Sequence, residues 1–307
     1  MKAIVTGGAG FIGSHITKRL LNDGWDVTVI DNFHTGDLKN LKDAKNYNLL
    51  RGDASIIGKL PKYDAVFHEG IYSSTPMYRE DPTLVGKAVN DFIAVLQYCR
   101  NNGTKLVFAS TSSIYNGYKP PHKEEMVPSV TDFYTEARYL MERLSNLYNQ
   151  MFGLEYCALR YFSVYGDGEE SKKTYANMVS QVVWKGMLKK PLRIYGDGSQ
   201  RRDLVFVDDI VEANMQAFKT KVSGVFNVGN GKSYSFKDIV SMVNKQLNTE
   251  IKVEFTPNPL KNYVDIVEAD TTKMRNTLGF NPKVSIDDGV RKAVEYYKTL
   301  KTPPDIY

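Results

Sequence analysis

The chain has 307 residues, enough for one large domain or two modest ones, and 42% of them are hydrophobic, as a real core requires. Its net charge of +5 comes from 40 basic and 35 acidic residues dispersed along the chain, which excludes a dedicated nucleic-acid surface. No apolar run approaches about twenty residues, and the histidines are scattered without paired cysteines or His-Glu-x-x-His, so neither a membrane span nor a metal centre is expected.

Residues Lys2–Asp31 read as a strand–helix–strand unit. Ile4 and Val5 open an apolar strand, and Gly7, Gly8, Gly10 and Gly13 follow at once. Ile12, Ile16, Leu20 and Leu21 then recur at helical spacing until Asn22-Asp23-Gly24, and a second strand ends at Asp31. This is how a dinucleotide site is built. Gly7 permits a tight turn, Gly10 lets a pyrophosphate approach the backbone, and Gly13 allows close helix packing. The helix N-terminus presents free N–H groups to the phosphates. Asp31 can accept both hydroxyls of an adenosine ribose, and no Arg at 32–36 would neutralise a 2′-phosphate, so NAD is expected rather than NADP.

Further strands are expected at Asn48–Asp53, Asp64–His68, Lys105–Ala109 and Leu154–Arg160. Long helices are expected over Val85–Cys99, with Val89, Phe92, Leu96 and Cys99 inward, and over Tyr134–Met151, with Leu140, Leu144, Leu147 and Met151 on one face. Tyr134 and Arg138 lie one turn apart, which fits either an ordinary helix-surface pair or a cation beside a reactive phenol. After Gly166 the pattern becomes polar. A helix (Ala176–Gly186), the glycine-rich Tyr195-Gly196-Asp197-Gly198, a strand at Val225–Val228 and a helix at Ser235–Leu247 follow. Cys99 and Cys157 each sit in an apolar run and read as buried thiols of a reducing compartment. With the N-terminus already committed to strand and loop, a cytoplasmic protein is expected.

The opening TGGAGFIGSH, with Gly-x-x-Gly-x-x-Gly spacing, resembles the extended short-chain dehydrogenase/reductase family in its nucleotide-sugar branch. The later motifs agree in order along essentially the whole chain. The resemblance implies a doubly wound parallel sheet (Rossmann fold) with a smaller C-terminal substrate domain. Residues 1–166 would bind NAD, with a segment about 204–230 returning to that domain, and 167–307 would mainly bind substrate. It assigns Gly7, Gly10, Phe11, Ile12, Asp31, Asn32, Gly36, Asp53, Ala54, Glu69, Gly70 and Ile71 to the cofactor. Asp53 would meet the adenine amino group, a role compatible with capping a helix. Asn90 matches a position that supports the active-site strand.

Thr111, Tyr134 and Arg138 match the catalytic Ser/Thr, Tyr and Lys, with Tyr134 and Arg138 also touching the cofactor. Arginine replaces the family lysine, so its charge and its reach to the nicotinamide ribose are kept while a proton relay is not. Ser73, Thr111, Ser163, Lys172, Arg202 and Lys261 are assigned to substrate. Ser163 stands where the family has Asn, and Arg202 where an arginine grips the diphosphate. Glu69-Gly70 replaces the usual Ala-Ala and, with Lys172, resembles the ADP-heptose 6-epimerases. Tyr195-Gly196-Asp197-Gly198 resembles the UDP-sugar enzymes. Dehydratases carry Thr-Asp-Glu where this chain has Thr111-Ser112-Ser113, and decarboxylases carry Glu at the place of Ser113. The implied activity is therefore an NAD-dependent epimerase, UDP-hexose 4-epimerase-like, acting through a transient keto sugar. An ADP-heptose 6-epimerase-like enzyme, another nucleotide-sugar oxidoreductase and a non-catalytic NAD-binding protein are the alternatives. The two long helices imply a homodimer.

Overall fold

Runs of β-branched and apolar residues too short for helices form the strands of the fold, and the amphipathic segments between them form its helices. A computed structural model describes residues 1–258 and 264–306. Its first half runs β1 (Lys2–Thr6), α1 (Phe11–Asn22), β2 (Asp26–Asp31), β3 (Tyr47–Arg51), β4 (Ala65–His68), α2 (Thr75–Glu80), α3 (Leu84–Asn102), β5 (Lys105–Thr111), α4 (Phe133–Phe152) and β6 (Tyr156–Tyr161). Then come β7 (Ser163–Tyr165), α5 (Met178–Leu188), β8 (Leu192–Tyr195), β9 (Arg201–Phe206), α6 (Val207–Lys219) and β10 (Gly224–Val228). The remainder is β11 (Ser233–Ser235), α7 (Phe236–Leu247), β12 (Val253–Thr256), β13 (Ile266–Val267) and α8 (Ile286–Lys298).

Seven parallel strands form the main sheet in the order β10-β6-β5-β4-β1-β2-β3. The order reverses beside β1, which leaves a crevice at the carboxyl ends of β1 and β4. Strand alternation sends Ala3 and Val5 to one face, against Ile16 and Leu20 of α1 and Ile210 and Ala213 of α6. Ile4 points to the other face, against Phe92, Val95 and Leu96 of α3 and Met141 of α4. Covered on both faces, the central strands β1, β4, β5 and β6 are buried along almost their whole length and mainly apolar.

A second sheet contains β11, β9 and β13, with β7 paired to β9, while β12 pairs with β8. Its core joins Val183 and Trp184 of α5, Ile239 and Val243 of α7, and Val290 and Val294 of α8. The chain thus leaves the main sheet after Tyr161, because β7 already pairs in the second sheet. It re-enters at α6, because β9 does too.

One expectation about the helices is corrected. Asn90 is exposed on α3, because the buried stripe runs through Ala88, Phe92, Val95 and Cys99. The apolar stripe of α4 is divided: Leu144 packs partly against the core, while Leu147 is 47% and Met151 68% exposed. The face of α4 that packs inward carries Ala137, Arg138, Met141, Glu142 and Ser145.

That polar face is tied down by a buried ion pair. Arg160 Nη2 lies 2.7 Å from Glu142 Oε2, with both side chains 4% exposed. Arg160 Nε and Ser110 Oγ donate to Glu142 Oε1. Glu142→Gln would leave a guanidinium buried without its counter-charge, so it should cost about 3–5 kcal/mol. Urea unfolding midpoints of parent and variant measure this loss directly.

Candidate active site

The turn after β1 is shaped by what cannot fit there. Gly7 has φ +66°, and a Cβ on it would lie 2.6 Å from the backbone of Gly70 at the end of β4. A Cβ on Gly13 would lie 2.1 Å from the Gly7 carbonyl oxygen. Gly13 therefore admits the turn itself, not only close packing of the helix on the sheet. Gly10 caps α1 without a side-chain acceptor and lines the crevice, so the first N–H groups of α1 face it unscreened.

At the end of β2, Asp31 is buried, accepting from the Ala9 N–H at 2.9 Å and the Phe33 N–H at 2.7 Å. Burial raises its pKa, and these backbone bonds oppose the shift. A Cβ on Gly36 would come within 2.8 Å of Asp31 Oδ1. Asp53 stands at the first position of a short helical turn but makes no capping bond. Its Oδ1 instead accepts from Asn32 Nδ2 at 2.7 Å. Ala54 lines the same end of the crevice, as does Asp91 of α3, which the sequence reading missed. Asp91 shares the helical face of Ala88, the one sequence signal that could have found it. Arg51, in register with Asp31 on the neighbouring strand, stacks over the Phe33 ring at 5.4 Å.

The crevice, about 350 Å³, continues past the ends of β4, β5 and β6. All the residues assigned above to cofactor and catalysis line it, together with Ser73, Ser163 and Lys172. Thr111 ends β5; its Oγ1 accepts from the Ser113 N–H and donates to Ser113 Oγ, both at 3.1 Å. Tyr134 stands in the first turn of α4, edge-on to Tyr78. Arg138 Cζ lies 5.1 Å from the centre of the Tyr134 ring. Its Nη1 donates to the Ala109 carbonyl at 3.2 Å and its Nη2 to the Tyr72 carbonyl at 3.1 Å, while Nε is buried without a partner. Two of the fork's donors are thus taken up by carbonyls of the protein, while the side chain, only 4% exposed between α4, β5 and the loop after β4, still lines the crevice.

Lys172 donates to the fully buried Glu169 at 2.8 Å and lies over the Phe11 ring. A second cavity of about 280 Å³ meets the first at Ser112 and Ser163 and is lined by Arg202, Arg79 and His122. Arg202 therefore faces this second chamber and not the first. Lys261 lies outside the described residues. Among the described residues, no group of His, Cys, Asp and Glu could hold a metal ion, and no helix is long and apolar enough to cross a membrane.

A glycine turn opening on a helix N-terminus, a buried acid at the end of the next strand and a Tyr-x-x-x-cation helix flanking the crevice define an NAD-dependent enzyme of the doubly wound class. Residues 3–229 match the model of the NAD dependent epimerase/dehydratase family, and the chain belongs to that family. The UDP-glucose 4-epimerase of Lactobacillus helveticus is 32% identical, over 97% of this chain and 98% of its own. UDP-glucuronic acid decarboxylase 4 of Arabidopsis thaliana is 30% identical, over 97% of this chain and 69% of its own. The crystal structure of the Thermotoga maritima UDP-glucose 4-epimerase with UDP-glucose superposes with a TM-score of 0.92 at 29% identity, covering 97% of this chain and 99% of that one.

NAD is the cofactor, and the residues present fit it. Gly10 leaves room at the helix end, and the Asp31 carboxylate keeps lone pairs beyond its two backbone bonds for ribose hydroxyls. Titrations should show tighter binding of NAD than of NADP. Asp31→Ser should narrow that gap at least tenfold, because the repelling charge goes while Arg51 remains on the neighbouring strand.

Proposed function

We propose that this family member is an isomerase acting on UDP-sugars, a 4-epimerase that oxidises and re-reduces a ring carbinol. The observation that carries this reading is the meeting of Thr111, Tyr134 and Arg138 close to the junction of the two cavities. The first cavity has the glycine turn and the ribose acid, and the second has Arg202. We assign the first to cofactor and the second to the nucleotide of the substrate, where an arginine fork suits a diphosphate. On this reading residues up to about 166 with 204–230 serve the cofactor, and 167–307 mainly the substrate.

NAD when bound supplies a reversible hydride acceptor. Tyr134 removes the carbinol proton and later returns it, and Thr111 holds the carbinol oxygen through its hydroxyl. Arg138 adds positive charge beside the phenol and pins the Tyr72 loop to the end of β5. Ser112 and Ser113 follow Thr111 where an elimination would need an acid and a base, which disfavours a dehydratase. Lys172 is held by buried Glu169, which favours a positioning role over that of a second catalytic lysine. Ser163 lines both cavities and serves as a substrate contact, with Ser73 at the exposed rim.

A homodimer is part of this proposal. Leu147, Met151 and Phe152 form an apolar strip on α4, beside α3, that the core does not use. Light scattering at micromolar concentration should give twice the chain mass, and Leu147→Glu with Met151→Asp should give the single mass.

Purified protein should interconvert UDP-glucose and UDP-galactose or another UDP-sugar pair; inactivity across a panel of UDP-sugars would remove the assignment. Tyr134→Phe should lower kcat by about 10²–10⁴ with NAD affinity kept. Arg138→Met should lose both rate and affinity. Arg138→Lys should keep much of the rate but lose roughly 1–3 kcal/mol of stability, since one ammonium cannot serve both carbonyls.

A further inference from the structure

Glu69 is the acid that neither the glycine turn nor the Thr-Tyr-Arg cluster explains. It stands at the carboxyl end of β4, where its N–H donates to the Thr6 carbonyl at 3.1 Å, so the cofactor turn fixes its backbone. Its side chain reaches across to β6: Tyr161 Oη donates to Glu69 Oε1 at 2.9 Å, and Asn214 Nδ2 of α6 donates to Tyr161 Oη at 2.8 Å. The chain of donors ends on Oε1. Among the described residues nothing bonds Oε2, and the residue lines the crevice at its catalytic end.

We propose that Glu69 answers the charge of the cofactor: it carries a proton while the crevice holds the neutral reduced nicotinamide and releases it when the crevice holds the cationic oxidised ring. This rests on the NAD assignment made above. The groups facing the carboxyl are Arg138 from α4 and Tyr161 from β6. His68, next to it on β4, turns instead to Thr6 Oγ1 at 2.7 Å and stays neutral because burial pushes it down to about 3. Burial pushes Glu69 up to about 8, with the Tyr161 hydrogen bond and the Arg138 charge opposing. That shift favours the protonated carboxyl when no cofactor cation lies beside it. A cation brought beside it favours the ionised form, so binding of the oxidised cofactor must expel the proton. The consequence is a bias toward the oxidised form that grows as pH rises and levels off once the free carboxyl is already ionised.

The test compares NAD⁺ and NADH binding to the full-length, nucleotide-stripped protein by calorimetry in buffers of different ionisation heat. The two forms share phosphates and adenosine, so those contributions cancel. At pH 7, NAD⁺ should release close to one proton more than NADH. Its affinity relative to NADH should rise up to tenfold per pH unit below the free-protein pKa. In Glu69→Gln, which can still accept from Tyr161 but cannot ionise, both differences should vanish. Glu69→Ala gives a second variant should the first fold poorly. Equal proton counts for the two forms in the parent, or a difference that persists in both variants, overturns the proposal alone. Binding of neither form overturns the cofactor assignment and the proposal with it.

Discussion

The site depends on a place where two backbones touch. The turn after β1 and the end of β4 approach so closely at Gly7 and Gly70 that neither position admits a Cβ, and Gly13 leaves the same room for the Gly7 carbonyl. This contact brings the N-terminus of α1 against the reversal point of the sheet, where its free N–H groups and partial positive charge open on the crevice. It also orients Glu69, whose backbone is held to Thr6 in the next bond of the ladder. Larger residues here would separate β1 from β4 and dissolve the crevice, whatever the rest of the chain did.

The catalytic end depends on a second constraint, a buried polar chain. Glu142 holds Ser110 and Arg160; Arg160 Nη1 donates to Tyr115 Oη at 2.7 Å; Tyr115 donates to Asn227 Oδ1 at 2.6 Å. One network thus joins α4, β5, β6, the loop after β5 and β10. Glu142 is one turn beyond Arg138, and Ser110 directly precedes Thr111, so the network fixes the helix that carries Tyr134 against the strand that carries Thr111. Buried ion pairs contribute little net stability, but their loss is costly because a charge is left behind. Here the pair also sets the spacing of α4 from β5 and β6 at the catalytic end.

Replacement of the family lysine by Arg138 is accommodated by this architecture. A guanidinium is always charged and has a fork of donors, and the fold offers it two carbonyls, Ala109 and Tyr72. The cation stays beside the phenol ring while its nitrogens brace the loop after β4. A guanidinium cannot itself relay a proton, which leaves Tyr134 to hold and return it.

The sequence by itself determined the doubly wound half and the glycine turn, and it marked Asp31 at the end of β2. These are local: each depends on strand or helix periodicity or on glycine where no Cβ fits. Thr111, Tyr134 and Arg138 were legible only through their resemblance to the family motifs. The sequence left undecided what depends on distant partners. The outward strip of α4 reads in sequence like a core face, and only packing shows that the buried face is the polar one, satisfied by Arg160, Ser110 and two carbonyls. Arg202 and the glycine turn carry no mark of lying in different cavities; the pairing of β7 with β9 puts them there. Glu69 stood in the sequence as an odd residue in a family motif. Its chemistry came from Tyr161 and Asn214, some ninety and more residues away, because a carboxyl's protonation is set by what surrounds it in space and not by its neighbours in the chain.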